Sequence, residues 1–281
     1  MSSFVATGYA SLDYPVSIDG YARPNETTLV ETRNPLDWPR IGGCPIYVAA
    51  AVAKGGFDAA PICWTGDNPE GEAFVSAAAA LGLDTHGIEK IASERSPSSL
   101  LIYQADGSCI CLYDPALGHS QQLTDRQADM IAEAGHLCIT VGPPHLMEPI
   151  LSRCRDTTRL YWVLKNDAHC FTPQIRAVLS ARADVIFCNR HERDLIARHK
   201  PDAIIVETRG VEGVAVETDG MTTIVEARTV GVSDTTGAGD TFAGGFIAAM
   251  MSGNADPVEA AKAGTAAVFD LLSKRCGRSA R

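Results

Sequence analysis

The sequence predicts a three-layer α/β/α domain built on a mainly parallel sheet. Three observations carry this expectation. Short apolar runs alternate with Ala-rich stretches of helical period. Several of the runs are apolar on both faces, as in strands of a sheet covered on each side. The chain has 281 residues, enough for one large α/β domain with a sizeable core, and it is read as a single domain over 1–281.

The elements follow in order. Residues 4–7 form the first strand pattern. Residues 13–40 hold alternating stretches such as 28–33 but no helix pattern. Pro45 opens an Ala-rich run that stops at Gly55-Gly56. Residues 59–64 read as a strand, and Pro69 opens a second helix that stops near Gly82. Both helices place Pro early and Gly just past the end. Residues 100–104 and 109–113 flank Asp106-Gly107, a strong hairpin signal. Further strands are expected at 137–141, 160–164, 184–188, 203–207 and 213–217. The β pieces within about 13–40 and 95–115 break the strand–helix rhythm and suit a small sheet outside the main layers. It is either a flap over a cleft or a plain surface excursion.

Composition excludes several classes. The formal net charge of -10 disfavours nucleic acid as a partner. Nine cysteines are present without a CxxC, and Cys109 and Cys111 stand close together without a second cluster. They read as small hydrophobes in a reducing cytosol. The N-terminus lacks a secretory pattern, and no apolar run approaches the roughly 20 residues that span a bilayer. A cytoplasmic protein without membrane contact is expected. His145, His169 and His191 share no metal-ligand spacing.

The chemistry concentrates in Asp234-Thr235-Thr236-Gly237-Ala238-Gly239-Asp240 and the stretch after it. Glycines and small polar residues come first. Phe242, Phe246 and Met250 then recur at i, i+4 and i+8, the stripe of a buried helix. A glycine loop running into a helix N-terminus presents free amides and the positive dipole end to an anion. Asp240 sits at that junction. It either caps the helix or accepts a proton from a hydroxyl attacking a bound phosphoryl group. A GxxxxGK[ST] loop is absent. A dinucleotide fingerprint fits poorly, because Asp234-Thr235-Thr236 precedes the glycines and a helix signal at Asp256-Pro257 follows.

The segment Asp234 to Asp240 resembles the C-terminal signature of the ribokinase-like (PfkB) carbohydrate and nucleoside kinases. Four more matches occur in that family's order along nearly the whole chain. Gly42-Gly43 before an Ala-rich helix resembles the glycine pair beside the sugar. Gly66-Asp67-Asn68, with Gly71 and Phe74, resembles the Gly-Asp segment. Asn189-Arg190-His191-Glu192 resembles the Asn-x-x-Glu motif, and Thr208-Arg209-Gly210 with Gly213 resembles the Thr-x-Gly turn beside the nucleotide.

The resemblance implies a ribokinase-like fold with a small β-sheet lid, and an ATP-dependent kinase acting on a hydroxyl of a small sugar. A nucleoside as acceptor is the alternative, and a non-catalytic sugar- or nucleotide-binding protein is a further one. It implies Asp240 as base, with the amides of Gly237, Ala238 and Gly239 stabilising the transferring phosphoryl. Asp13, Gly42, Gly43 and the position of Tyr47 would face the acceptor. Asn189, Thr208, Gly210, Gly213 and Gly277 would serve the nucleotide. Asn189 and Glu192 would hold Mg²⁺ through water, although Asn-x-x-Glu is also close to a capping box. Asp234 and the Cys276-Gly277 region resemble loops that bind a monovalent cation in some members. The lid often builds a homodimer in relatives.

Two positions depart from the family's pattern. Tyr47 stands where the family often has an Asn that holds sugar hydroxyls. Its ring suits a flat apolar partner, which raises nucleosides as acceptors. Lys165-Asn166-Asp167 stands where many sugar kinases carry Asp-x-Asn. Lys165 either reaches a phosphate as a point charge or is a solvated strand end.

Overall fold

The computed structural model describes residues 4–33, 37–92, 94–118, 120–231, 234–253 and 256–279, with side chains to Cys276 in the last segment. Strands β1 (Phe4–Thr7), β2 (Ser11–Ile18), β3 (Val30–Thr32) and β4 (Arg40–Gly42) precede helix α1 (Cys44–Lys54). Strand β5 (Ala59–Gly66), helix α2 (Pro69–Ala80) and strand β6 (Ile88–Ile91) follow, then the hairpin β7 (Ser98–Tyr103) and β8 (Cys109–Asp114). Helices and strands then alternate: α3 (Asp125–Glu133), β9 (His136–Ile139), α4 (Met147–Arg153), β10 (Arg159–Val163), α5 (Pro173–Arg182) and β11 (Val185–Asn189). Strands β12 (Ile204–Thr208), β13 (Val214–Thr218) and β14 (Met221–Val225) lead to helices α6 (Ala238–Met251) and α7 (Pro257–Ser279).

The main sheet has nine strands in the order β14-β13-β12-β11-β10-β9-β1-β5-β6. Its pairings are parallel from β12 to β6. Only β12–β13 and β13–β14 are antiparallel. One face is covered by α1, α2, α6 and α7, which bury Ile46, Phe74, Phe246 and Ala260 against β1, β10 and β11. The other face is covered by α3, α4 and α5, whose Ile131, Ile150 and Leu179 pack with Trp162 and Ile186. The three-layer α/β/α expectation is met. The sequence pattern missed β6 and β14. Three of the four residues in β6 are only partly buried or exposed, and four of the five in β14 are exposed, so neither shows an apolar run.

Local chemistry explains the helix starts. Pro45 lies in the first turn of α1 and Pro69 in that of α2. The Asn68 side chain accepts the Gly71 amide at 2.8 Å and so caps α2. In α6 the expected aromatic stripe turns inward, and Phe242 and Phe246 meet Phe187 edge-on at 6.3 and 5.2 Å.

The β pieces outside the strand–helix rhythm form a second sheet in the order β3-β2-β7-β8, with β4 joined to β2. Residues 34–36 of the expected segment lie outside the described residues. Side chains alternate across this sheet. Asp13, Ser99 and Tyr113 are in register on one face, and Tyr14, Leu100 and Leu112 on the other. Among the described residues, no helix is long and apolar enough to cross a membrane.

Candidate active site

The site lies where the second sheet meets the C-terminal ends of the parallel strands, the usual location in open α/β sheets. Its centre is the start of α6. Gly237 occupies the N-cap in a left-handed conformation, φ 71°, and provides no side-chain cap. The Ala238 amide donates to the Thr235 carbonyl at 3.0 Å and is therefore committed to the turn, contrary to the expectation that it faces a phosphoryl group. The amides of Gly237 and Gly239 make no backbone hydrogen bond among the described residues. They remain as anion donors at the positive end of the helix.

Asp240 is buried in the first turn of α6. It does not cap the helix. Its Oδ1 has no directed hydrogen bond among the described residues and lies 3.3 Å from Lys165 Nζ. Lys165 extends from the loop after β10 and is thus more than a solvated strand end. Burial opposes its charge, but Asp240, with help from Glu192, outweighs that and holds it protonated well above the usual lysine range. The Cys44 thiol, close by, is pushed up by burial and by Asp240, so it stays neutral.

Asp13 faces this centre from β2. It is almost fully buried, and Ser11 Oγ donates to its Oδ1 at 2.7 Å. The hydroxyls of Ser11 and Ser99 are 2.7 Å apart, and the Tyr47 hydroxyl donates weakly to Asp13 Oδ2 at 3.4 Å. Burial pushes the Asp13 carboxyl up to about 6, partly offset by Ser11, Arg40, Tyr47 and Ser99. Gly42 lies beneath it, where any Cβ would overlap the carboxylate. Gly43 forms the N-cap of α1. Tyr47 lies between the two halves of the site. A Cβ on Gly237 would come within 2.6 Å of its ring, so the ring packs on the glycine loop.

Asp234 organises the approach to that loop. Arg40 of β4 grips it with two bonds, Nη1 to Oδ2 at 2.6 Å and Nη2 to Oδ1 at 3.0 Å. The Thr236 amide and hydroxyl donate to Oδ1 at 3.1 and 2.7 Å. The Tyr103 hydroxyl of β7 lies 2.5 Å from Thr236 Oγ1, a second tie between the second sheet and the loop. Burial works against the Asp234 charge, but Arg40, with help from Arg275 and Thr236, holds the carboxyl far below the usual range. Arg40, Tyr103 and Arg275 carried no local sequence signal.

On the other side of the glycine loop is a cavity of about 400 Å³. Thr208, Gly210 and Gly213 line it together with Ala238, Gly239 and Leu272. Four separate sequence segments, Ala227 to Val230 among them, thus meet around one space large enough for a nucleotide. The glycine loop forms its border with the Asp13 side.

A sequence profile of the pfkB family carbohydrate kinases matches residues 30–274. The chain belongs to this family. It is accordingly a phosphotransferase with an alcohol group as acceptor, of the sugar and nucleoside kinase kind. The chain is 23% identical to a nucleoside kinase of Methanothermobacter thermautotrophicus, covering 89% of this chain and 82% of that protein. It is also 23% identical to a ribokinase of Haemophilus influenzae, covering 97% and 92%. Among solved structures, a ribokinase from Cryptococcus neoformans in complex with ADP superposes with a TM-score of 0.80 at 20% identity, covering 98% of this chain and all of that one. A nucleoside kinase from Burkholderia thailandensis in complex with inosine gives 0.76 at 19%, covering 94% and 90%.

Two expectations carried over from the pfkB family change on inspection. Asn189 and Glu192 do form a reciprocal box. The Asn189 amide donates to Glu192 Oε2 at 2.8 Å, and Asn189 Oδ1 accepts the amides of His191 and Glu192 at 2.9 and 3.0 Å. The box closes a turn rather than an α-helix, since only a short 3₁₀ segment, Arg193–Leu195, follows. The stretch through Cys276 and Gly277, expected as a cation- or nucleotide-binding loop, is instead continuous helix in α7. Gly264, packed against Phe242, does not break that helix, and its residues Thr265, Val268 and Leu272 wall the cavity.

Proposed function

We propose that the chain transfers the γ-phosphoryl group of ATP to a hydroxyl of a small sugar held between Asp13 and Asp240. The observation that carries this reading is Asp240 Oδ1, buried and without a directed hydrogen bond, beside the free amides of Gly237 and Gly239. A buried carboxylate oxygen that no donor engages at hydrogen-bond geometry is poised to take a proton from an attacking hydroxyl. The glycine amides and the Lys165 ammonium meet the charge that develops on the transferring group. The resulting geometry is in-line transfer from the cavity side to the Asp13 side.

The nucleotide occupies the cavity of Thr208, Gly210 and Gly213, with its phosphates toward Gly239. The donor set suits Mg²⁺ held through water. Glu192 is a buried carboxylate next to the phosphate side, while Asn189 spends its oxygen on the turn. Among the described residues no group of three or more acidic, His or Cys side chains converges, so the nucleotide phosphates would supply much of the coordination. The ion would neutralise phosphate charge as transfer proceeds.

We read the chain as a single ribokinase-like unit over 1–281, with the second sheet as lid. Its Asp13 face closes on the acceptor. Its opposite face exposes Val30 and Leu112 beside Leu100, an apolar surface suited to a homodimer. A cytoplasmic location fits the free cysteines. A net charge of -10 disfavours nucleic acid as a partner.

A nucleoside is the alternative acceptor, and one observation favours it. Tyr9 and Tyr113 pair at 5.0 Å between ring centroids at the cleft wall. Aromatic faces there suit a base. Tyr47 supports it less than its sequence position implied, because the Gly237 loop covers its ring. ADP release measured across pentoses, hexoses and nucleosides tests both readings. The best kcat/KM on a sugar supports the first and on a nucleoside the second, and no turnover with any of them sinks both.

A further inference from the structure

Asp234 to Thr236 turn several oxygens toward one point, and a side chain of this chain occupies it. Arg275 of α7 places Nη1 2.7 Å from the Thr236 carbonyl, 3.2 Å from the Asp234 carbonyl and 3.5 Å from Asp234 Oδ1. The side chain is mostly buried, 12% exposed. Two backbone carbonyls and a carboxylate oxygen around a small volume are the ligands a monovalent metal ion takes in exchange for its water. Here those oxygens are already satisfied by a guanidinium. The C-terminal segment that the family resemblance would recruit as a second wall is helix, whose carbonyls point along the axis toward its C-terminal end rather than converging on one point as a loop's can. The residues present therefore do not fit an exchangeable monovalent ion.

The position gives this arginine consequences beyond packing. Thr236 immediately precedes Gly237, whose φ of 71° sets the direction of the anion-binding amides. Arg40 holds Asp234 from the second sheet while Arg275 holds the same segment from α7. A guanidinium is permanently charged and, unlike a dissolved ion, cannot leave. We propose that Arg275 is the fixed cation of the phosphoryl-transfer site, a positioning residue that holds the glycine loop in its working shape and makes the kinase independent of K⁺ and Na⁺. This rests on the reading of the Gly237 to Asp240 loop as the phosphoryl site.

The test titrates KCl or NaCl into the wild-type enzyme, with tetramethylammonium chloride balancing ionic strength. Turnover on the best acceptor and the affinity of a fluorescent ATP analogue are read in parallel. Both are expected to stay within about twofold, whereas loss of one well-placed donor to a phosphoryl or oxyanion site costs roughly 100-fold. Arg275→Ala should lower kcat by about tenfold or more in tetramethylammonium buffer that contains Mg²⁺ but no K⁺ or Na⁺, with a smaller effect on acceptor KM. Millimolar guanidinium or K⁺ should restore part of the loss, which a merely structural arginine would not allow. A severalfold rise of wild-type kcat with K⁺ would overturn the proposal, as would an Arg275→Ala enzyme fully active without any monovalent metal. The wild-type titration decides even if the variant does not fold. The ATP-analogue arm needs no acceptor, so failure to find an acceptor is seen separately from failure of this proposal.

Discussion

Asp13 and Asp234 are two carboxylates on the rim of one cleft, and their surroundings drive them in opposite directions. Asp234 has two arginines and a threonine around it, and its charge is stabilised far beyond that of a free aspartate. Asp13 is more deeply buried, and its direct contacts are hydroxyls, so burial dominates and its carboxyl is pushed up to about 6. Asp234 is a finished structural ion pair. Asp13 is a charge held at a cost, with hydrogen-bonding capacity left for something that arrives later. Partners rather than burial thus set the two carboxylates apart.

Asp240 extends the comparison and should give the largest effect. It resembles Asp13 in burial and Asp234 in having a cation nearby, yet its Oδ1 lacks a directed hydrogen bond. If that oxygen takes the proton of the acceptor hydroxyl, Asp240→Asn should lower kcat by roughly 100- to 10,000-fold. ATP affinity, read by calorimetry, should stay nearly unchanged. A kcat within threefold of wild type would remove Asp240 from the chemistry.

Asp234→Ala should be next in size and should act on stability first. It leaves the Arg40 guanidinium, 7% exposed, without its two bonds to Asp234, and it removes one of the ties between the second sheet and the glycine loop. Stranding a buried charge in this way costs about 3 kcal/mol. The expected readout is a clear fall in Tm at neutral pH. The Asp234 carboxyl is depressed, so its contribution is full above about pH 4 and fades only as pH falls below the ordinary carboxylate range. A variant that melts with the wild type at pH 7 would show that the ion pair is not structural.

Asp13→Asn should move stability the other way. A carboxyl raised from 3.8 to about 6 favours the protonated folded state, so wild-type stability falls as pH climbs through that interval. The cost at pH 7 is about 3 kcal/mol for a shift of this size, and Asn avoids it while keeping hydrogen bonds to Ser11 and Tyr47. Melting curves of the two proteins should nearly coincide near pH 4, separate toward pH 6 in favour of Asp13→Asn, and stay parallel above it. Acceptor affinity at pH 7.5 should fall by about tenfold, the worth of a hydrogen bond to a charged group. Equal or lower melting of the variant at pH 7 would place Asp13 with Asp234 as a scaffold residue.

The two regions also differ in how far they could be read from sequence. Strands buried on both faces, such as β10 with Trp162, announce themselves as apolar runs, and the glycine loop before α6 is legible because its chemistry is local. Edge strands β6 and β14 were silent because water covers their outer surface. The Arg40–Asp234 pair joins residues 194 positions apart, and no local pattern encodes such a meeting. Arg275 lies in a helix that runs on through Gly264, in a stretch the family resemblance implied to be a loop. Tyr47 lies beside Asp13, but its covered ring depends on the left-handed Gly237, which only the folded chain brings over it.

Glu192 offers the smallest expected effect and the sharpest distinction between scaffold and ligand. Like Asp234, it is a buried carboxylate holding a backbone amide, since its Oε2 accepts from Asn189 at 2.8 Å. Like Asp13, it has capacity beyond that one bond. Glu192→Gln preserves an acceptor for the Asn189 amide and removes only the charge, so the turn should persist and Tm should change by less than about 1 kcal/mol in stability terms. If the charge orders water around Mg²⁺, the Mg²⁺ concentration for half-maximal activity should rise about tenfold, the lower end of what outer-sphere metal partners contribute. Saturating Mg²⁺ should then recover most of the wild-type kcat. A lower Tm with an unchanged Mg²⁺ curve would reduce the box to a turn-closing device and leave the metal to the nucleotide phosphates and water alone.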